Sequence, residues 1–274
     1  MIKILLALLL IPSIAFGAPD TIGGVAVGDI DTLGGVPIED IDTFSGVEVS
    51  ACNTSSAIFW WRAEAFDFSG TNGTLDYALF VGGDVGTNIS TAAINSAAAK
   101  IGTNGLDIPT GDDSVQFDVP ADLDDEGHFA AWVRFVDYEA EDDIFRLYAV
   151  SGTNVMTIRM YGTDELKVTW DDGGTGRDDL ITTDANISLN TWYFIEFSWK
   201  TSTNHREIKV NGVTPTGGLS SATIGSFASA TLYGYFGNTL NGGTPDFHMD
   251  NMMLFTDSTV DAYTNCRDLD EWPE

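Results

Sequence analysis

The chain has 274 residues, enough to bury a sizeable core, and its Gly 29, Pro 8 and 11% aromatic content suit a strand-and-turn protein. Its 41 acidic residues face only 12 basic ones, a formal charge of −29. That balance repels nucleic acid and anionic membrane surfaces, which excludes nucleic acid as a partner, and it fits a solvated, saline or calcium-rich exterior.

Residues 1–17 have the order of a secretory signal peptide: Lys3, an apolar run from Ile4 to Leu10 continuing to Phe16, then Ala15-Phe16-Gly17 before Ala18. The run is too short to cross a bilayer. The expectation is a secreted protein, extracellular or surface-attached, with no membrane insertion once the signal is cleaved.

Residues 18–50 hold an eleven-residue repeat: D-T-I-G-G-V-A-V-G-D-I from Asp20, D-T-L-G-G-V-P-I-E-D-I from Asp31 and D-T-F-S-G-V-E-V-S from Asp42. Each copy reads as one apolar residue, a Gly-Gly or Ser-Gly turn and a short alternating strand. A unit that small cannot bury its own apolar face and must stack on something. Pro37 argues against a central strand in the second copy. Two readings stay open: a loosely packed stalk, or an assembly arm through which residues 20–50 pair with a partner or a second copy of the chain. The pairs Asp29-x-Asp31 and Asp40-x-Asp42 at the joints fit calcium or plain solvation.

Ile58–Ala63 reads as the first strand of the next domain, residues 51–274. Phe66–Asn72 and Gly82–Asn88 are turn-rich, and Ala-rich Thr91–Lys100 suits a short surface helix. Strands follow near Ser114–Val119, His128–Val136, Asp143–Val150, Val155–Tyr161, Glu165–Asp171 and Leu180–Thr183. From Asn190 to Thr214 the pattern is sharpest. Trp192, Phe194, Glu196 and Ser198 alternate with Tyr193, Ile195, Phe197 and Trp199, a strand with bulk on both faces. Arg206–Val210 is its partner, and Asn211-Gly212 is a type I′ hairpin signal, needing positive φ at both positions. Thr231–Phe236 and Asp246–Phe255 close the series, and the acidic tail from Asp257 to Glu274 should lie back over the domain near Cys266.

Four stretches in this order resemble LamG-like domains of the concanavalin A-like lectin/glucanase superfamily, over roughly Ala57 to Thr264. They are Lys100–Ile108 with Asp112–Phe117, then Phe129–Phe135, then Trp192–Phe197 with Ile208–Gly212, then Phe247–Phe255. The resemblance implies an all-β fold, a two-sheet antiparallel β-sandwich of the jelly-roll type behind the short N-terminal repeat segment. It also implies that the first and last strands lie side by side, which brings Cys52 and Cys266 within bonding reach. An exported chain with an even cysteine count suits that disulfide.

Catalytic motifs are missing: no G-x-S-x-G, Walker loop or H-E-x-x-H occurs. The histidines His128, His205 and His248 lack metal-ligand spacing and read as structural. Glycoside hydrolases of the superfamily use E-x-D-x-E on one strand; Asp122-Leu-Asp124-Asp125-Glu126 departs from it, precedes a strand and runs into Gly127. Asp122, Asp124 and Glu126 with Gly127 better match the first half of a calcium loop, although Val133 stands where a bidentate Glu is expected. A plain acidic loop is the competing reading. Trp132, Trp192 and Trp199 sit mid-strand and read as core, whereas Trp170 beside Asp171 and Asp172 at a strand end suits an exposed ligand platform. Trp60 and Trp61 must point to opposite faces, so one needs solvent, a loop or a ligand over it.

These readings converge on a non-catalytic recognition or adhesion module whose partner is a glycan or surface protein, with calcium as a possible ion. The glycan step is what the resemblance implies, since such folds host many roles. The alternatives are a structural subunit of a surface layer, filament or virion assembled through the repeats, and a glycoside hydrolase or lyase.

Overall fold

The computed structural model describes the strands of residues 21–48, then residues 52, 56–61, 63, 79–80, 87–89, 92–109, 114–119, 123, 125–137, 143–149, 155–171, 177–225, 232–237 and 246–267. The chain divides into two compact units, Met1–Ala51 and Cys52–Glu274.

In the first unit the sequence repeat becomes a repeat of pairing. β1 (Thr21–Ile22) pairs with β2 (Val25–Ala26), β3 (Thr32–Leu33) with β4 (Val36–Pro37), and β5 (Thr43–Phe44) with β6 (Val47–Glu48). Each pair is its own two-stranded sheet. Pro37 lies opposite Thr32 in a ribbon that has no central strand, which is where a residue without an N–H is tolerated.

The second unit continues with β7 (Ala57–Trp61), β8 (Leu79–Phe80), β9 (Thr87–Ile89), β10 (Ala93–Asn95), β11 (Gly105–Ile108), β12 (Ser114–Val119), β13 (Glu126–Phe135) and β14 (Asp143–Ala149). After these come β15 (Val155–Tyr161), β16 (Glu165–Asp171), β17 (Arg177–Ile181), β18 (Trp192–Lys200), β19 (His205–Val210), β20 (Leu219–Ser220), β21 (Leu232–Gly237) and β22 (Phe247–Phe255). They form an antiparallel sandwich. The first sheet runs β10-β11-β22-β13-β18-β19-β20, with β7 on β22 and β8 on β7; the second runs β17-β16-β15-β14-β21-β12-β9. Among the described residues no helix is long and apolar enough to cross a membrane.

An aromatic stack fills the space between the sheets. Phe129 lies 4.4 Å from Phe145, Phe59 lies 4.5 Å from Phe117, and Phe117 lies 4.9 Å from Phe236, centroid to centroid. Each such pair adds roughly 1 kcal/mol beyond the burial of its area.

The first sheet is covered on its outer face as well. β18 turns Ile195, Phe197 and Trp199 into the core and Phe194 outward, where Phe194 joins Trp60, Ala130, Trp132, Met253, Phe255, Val260 and Ala262 in a second apolar cluster. The chain after β22 lies over that cluster, and the Cys52–Cys266 disulfide, with Cα atoms 4.9 Å apart, pins it there. The adjoining tryptophans are thereby resolved: Trp61 enters the core and Trp60 the outer cluster, both fully buried.

The hairpin after β19 has the expected turn, with Asn211 at φ 51° and Gly212 at φ 75°. Gly212 is also required by packing, because a Cβ there would stand 2.4 Å from the Tyr263 ring. The helix expected over Thr91–Lys100 is instead β10 followed by a short 3-10 turn, Ser96–Ala98. Pairing with β11 overrides the helix preference of the alanines, and the Asn95 side chain accepts from the Ala97 and Ala98 amides to start the turn. β13 starts at Glu126, so Gly127 is inside the strand; a Cβ there would meet the Trp199 ring at 2.4 Å.

Exchanging both cysteines, Cys52→Ser with Cys266→Ser, opens a loop of sequence separation 214. The chain-entropy model then predicts a loss of up to about 5 kcal/mol of unfolding free energy, read from denaturant titration. An unchanged midpoint would mean that the outer cluster holds the C-terminal segment without help.

Candidate functional site

The outer face of the first sheet ends in a groove of about 560 Å³ where β18 meets β19. Lys200 closes β18, Thr203 lies in the turn and His205 opens β19. Leu219, Ser220 and Ser221 form one wall, and Ser258 and Thr259 form the other. The lining is therefore hydroxyls, one imidazole and one ammonium, with Leu219 presenting an apolar surface that is 59% exposed.

Glu126 sets the geometry of this wall. Its Oε2 lies 2.6 Å from Lys200 Nζ, and its Oε1 accepts from the Ser258 hydroxyl at 2.6 Å and the Ser258 amide at 3.2 Å. Burial pushes the Glu126 carboxyl up, but the hydrogen bonds from Lys200 and Ser258 prevail and hold it below the ordinary glutamate range. His205 Nε2 sits 3.1 Å from Ser198 Oγ, and Asp257 accepts from the Thr259 amide and hydroxyl at 2.8 and 2.7 Å. Lys200 and Ser258 are thus held in place by Glu126, and Thr259 by Asp257.

Of the residues expected to hold calcium, Asp122 and Asp124 lie outside the described residues, and Glu126 already has both oxygens engaged. Of the expected ligand platform, Asp172 lies outside the described residues. Trp170 is corrected outright: it is fully buried, shares the inner face of β16 with Leu166 and Val168, donates to the Gly225 carbonyl at 3.0 Å and packs 6.3 Å from Trp199. Strand parity decides this, because even-numbered residues of β16 point inward. Asp171 is half-buried, opposite Val155 and Arg177. The groove itself was not legible in the sequence, since its lining draws on three separated segments.

At the other end of the outer face, one row crosses four strands: Trp192 opposite Arg134, Arg134 opposite His248, and His248 opposite Asp107. Asp107, Asp246 and His248 could in principle ligate a metal, their ligand atoms lying within 4.8 Å of one another. The hydrogen bonds argue otherwise. Arg134 Nε donates to His248 Nδ1 at 3.1 Å, which leaves the ring proton on Nε2, 3.4 Å from Asp107 Oδ1. Asn95 occupies Asp107 Oδ2 at 2.6 Å. A metal at Nε2 would expel that proton while a guanidinium still pressed on the other nitrogen, the reverse of the usual second-shell support. The His248 hydrogen bond, against burial and with help from Asn95 and Arg134, holds Asp107 below its ordinary range. Burial pushes Asp246 up, opposed by His248 and aided by Asp107 and Asp137.

A laminin G model, described as Concanavalin A-like lectin/glucanases superfamily, matches residues 109–261, more than half of the chain. Among solved structures, the receptor binding domain of botulinum neurotoxin C/D mosaic serotype is similar at 9% identity and TM-score 0.55, over 74% of this chain and 48% of that one. The binding domain of Paraclostridial Mosquitocidal Protein 1 is similar at 11% identity and TM-score 0.57, over 74% and 49%. The binding domain of Botulinum Neurotoxin DC in complex with SialylT is similar at 11% identity and TM-score 0.52, over 77% and 50%. The chain spans about half the length of these structures, and identities so low speak to the fold alone. No curated protein sequence is significantly similar to it.

The depressed Glu126 carboxyl has a definite pH signature. Its stabilisation is complete above the ordinary glutamate range and is lost as pH falls through the lowered value. Glu126→Gln should therefore lower the melting temperature at neutral pH, and its deficit against the parent should shrink in acid. A deficit independent of pH would rule out the tie to Lys200.

Proposed function

The chain belongs to the concanavalin A-like lectin/glucanase superfamily, and on that premise we propose that it is a secreted, non-catalytic recognition module that holds a glycan in the groove at Lys200 and His205. The observation that carries this reading is the lining: hydroxyls, one imidazole and one ammonium beside exposed Leu219. Sugar sites need that mixture of an apolar surface and a few fixed polar groups. The likeness in fold to toxin binding domains supports a binding role. Export rests on the signal-like residues 1–17.

The hydrolase alternative asks one carboxyl to keep its proton near neutral pH. Glu126 is tuned the opposite way. The structural alternative draws on the identical register of the three hairpins, Ile22 opposite Val25, Leu33 opposite Val36 and Phe44 opposite Val47. Light scattering of the chain with and without residues 18–50, in calcium and in EDTA, separates the two roles. A monomer in every condition removes the assembly reading, and assembly that needs calcium but not the repeats moves interest to the Asp122–Glu126 loop.

The glycan reading is tested on a glycan array. Binding should fall by about tenfold in His205→Ala and in Lys200→Ala, the scale of one lost polar contact to a ligand. Folded variants that bind as well as the parent would overturn it.

A further inference from the structure

The outer face of the second sheet carries a group that neither the groove nor the core uses. By strand alternation β14 sends Phe145 and Leu147 inward and Arg146 and Tyr148 outward. Arg146 stands opposite Tyr235 on β21 and Thr157 on β15, and Tyr148 stands opposite Tyr233. These side chains form a block of three half-exposed tyrosines around Arg146, a residue that is 3% exposed. Directly opposed residues of this kind lie roughly 5 Å apart, so the block is continuous.

The neighbouring cations are neutralised in place. Arg159 lies 3.1 Å from Asp143 and donates to Thr157 at 3.0 Å, and Lys167 lies 3.0 Å from Asp179. Arg146 makes no ion pair among the described residues. Its guanidinium packs 5.1 Å from the Tyr148 ring centroid, and its Nε is buried without a hydrogen-bond partner. Burial disfavours its charge, Asp143, Tyr235 and Tyr148 favour it, and neighbouring Arg159 opposes it. A buried charge left uncompensated is costly unless a partner arrives. Tyrosines at half exposure are rigid, amphipathic surfaces suited to a sugar ring, and a guanidinium is the side chain suited to an oxyanion.

We propose that the Arg146–Tyr148–Tyr233–Tyr235 block is a second ligand site, separate from the groove, for a saccharide bearing a carboxylate or a sulfate. The tyrosines stack on the rings and Arg146 receives the acid group.

Calorimetry of the full chain at about 0.15 M salt, where long-range repulsion is screened, with three hexasaccharides, tests this. Hexagalacturonate carries carboxylates alone, a κ-carrageenan hexasaccharide carries sulfates alone, and neoagarohexaose is neutral. At least one acidic ligand should bind about tenfold more tightly than the neutral one, the scale of a charged hydrogen bond. The arm that binds names the acid. That preference should vanish in Tyr148→Ala and in Arg146→Gln. Equal binding of all three, binding of none, or acidic binding that survives Tyr148→Ala and Arg146→Gln but is lost in Lys200→Ala would overturn the site. A stability readout covers the case in which Arg146→Gln misfolds. Arg146→Met should leave the melting temperature of the free protein unchanged or raised, whereas Arg159→Met, which strands Asp143, should lower it. A fall in Arg146→Met as large as that in Arg159→Met would make Arg146 a structural cation and remove the proposal.

Discussion

The sandwich depends on how two adjacent polar residues, Asp250 and Asn251, are held inside β22. Both are fully buried, and the pairing of β13 with β22 slips by one between Ala130 opposite Met253 and Trp132 opposite Asp250. A buried carboxylate must be hydrogen-bonded. Asp250 Oδ2 takes the backbone amides of Lys100 and Ile101, each at 2.7 Å, and Oδ1 takes the Asn251 amide at 2.7 Å. Asn251 accepts the left-handed φ of 50° that the bulge imposes. Its side chain accepts from the Trp60 indole and donates to the carbonyls of Cys266 and Arg267. One extra residue thus ties β7, the turn after β10 and the C-terminal segment to a single point.

The bulge also resets which residues face out. Before it Phe247 and Met249 point inward; after it Met252 and Leu254 do, and Met253 and Phe255 turn to the outer side. That apolar outer surface has to be covered, and the segment ending at Cys266 covers it. Even the polar residues there are drawn in: His128 Nε2 lies 3.3 Å from Glu196, both side chains almost wholly buried, and Glu196 also accepts the Tyr263 amide at 3.2 Å. The second sheet has the opposite character, with charged and hydroxyl side chains across its outer face.

Much of this organisation was legible in the sequence because period-2 patterning and turn chemistry are local. The strands at Ser114–Val119, Val155–Tyr161 and Glu165–Asp171 have the expected bounds, and Asn211-Gly212 makes the expected turn. The Cys52–Cys266 bond came from the resemblance to a fold whose first and last strands adjoin, and it is present. The misreading at Thr91–Lys100 came from composition, which cannot see that β11 offers a free edge. At Trp170 the acidic neighbours suggested a surface, while parity with Leu166 and Val168 already pointed inward. The groove was hidden because Lys200, Ser220 and Ser258 become neighbours only through sheet order. Register, by contrast, would have lined up Arg134, His248 and Asp107 once the strands were paired.

Scarcity makes the placement of each cation informative. With 12 basic residues against 41 acidic ones, a cation does not lack for carboxylates. Lys200 meets Glu126, Arg206 meets Asp178, Lys167 meets Asp179 and Arg159 meets Asp143. Lys100 and Arg267 lie over Trp132 and Tyr263, where a ring face shares the stabilisation and the apolar stem seals the outer cluster. Each of these contacts closes a seam between segments that the fold brings together. Arg146 closes none. It lies mid-strand and packs on the Tyr148 ring, with no ion pair among the described residues, in a protein where acidic side chains outnumber basic ones more than threefold. Packing alone would be served as well by a leucine or a methionine of similar reach. A charge that is costly to bury and has no ion pair among the described residues fits the proposed role of this face in meeting an acidic ligand better than a role in holding the sheet together.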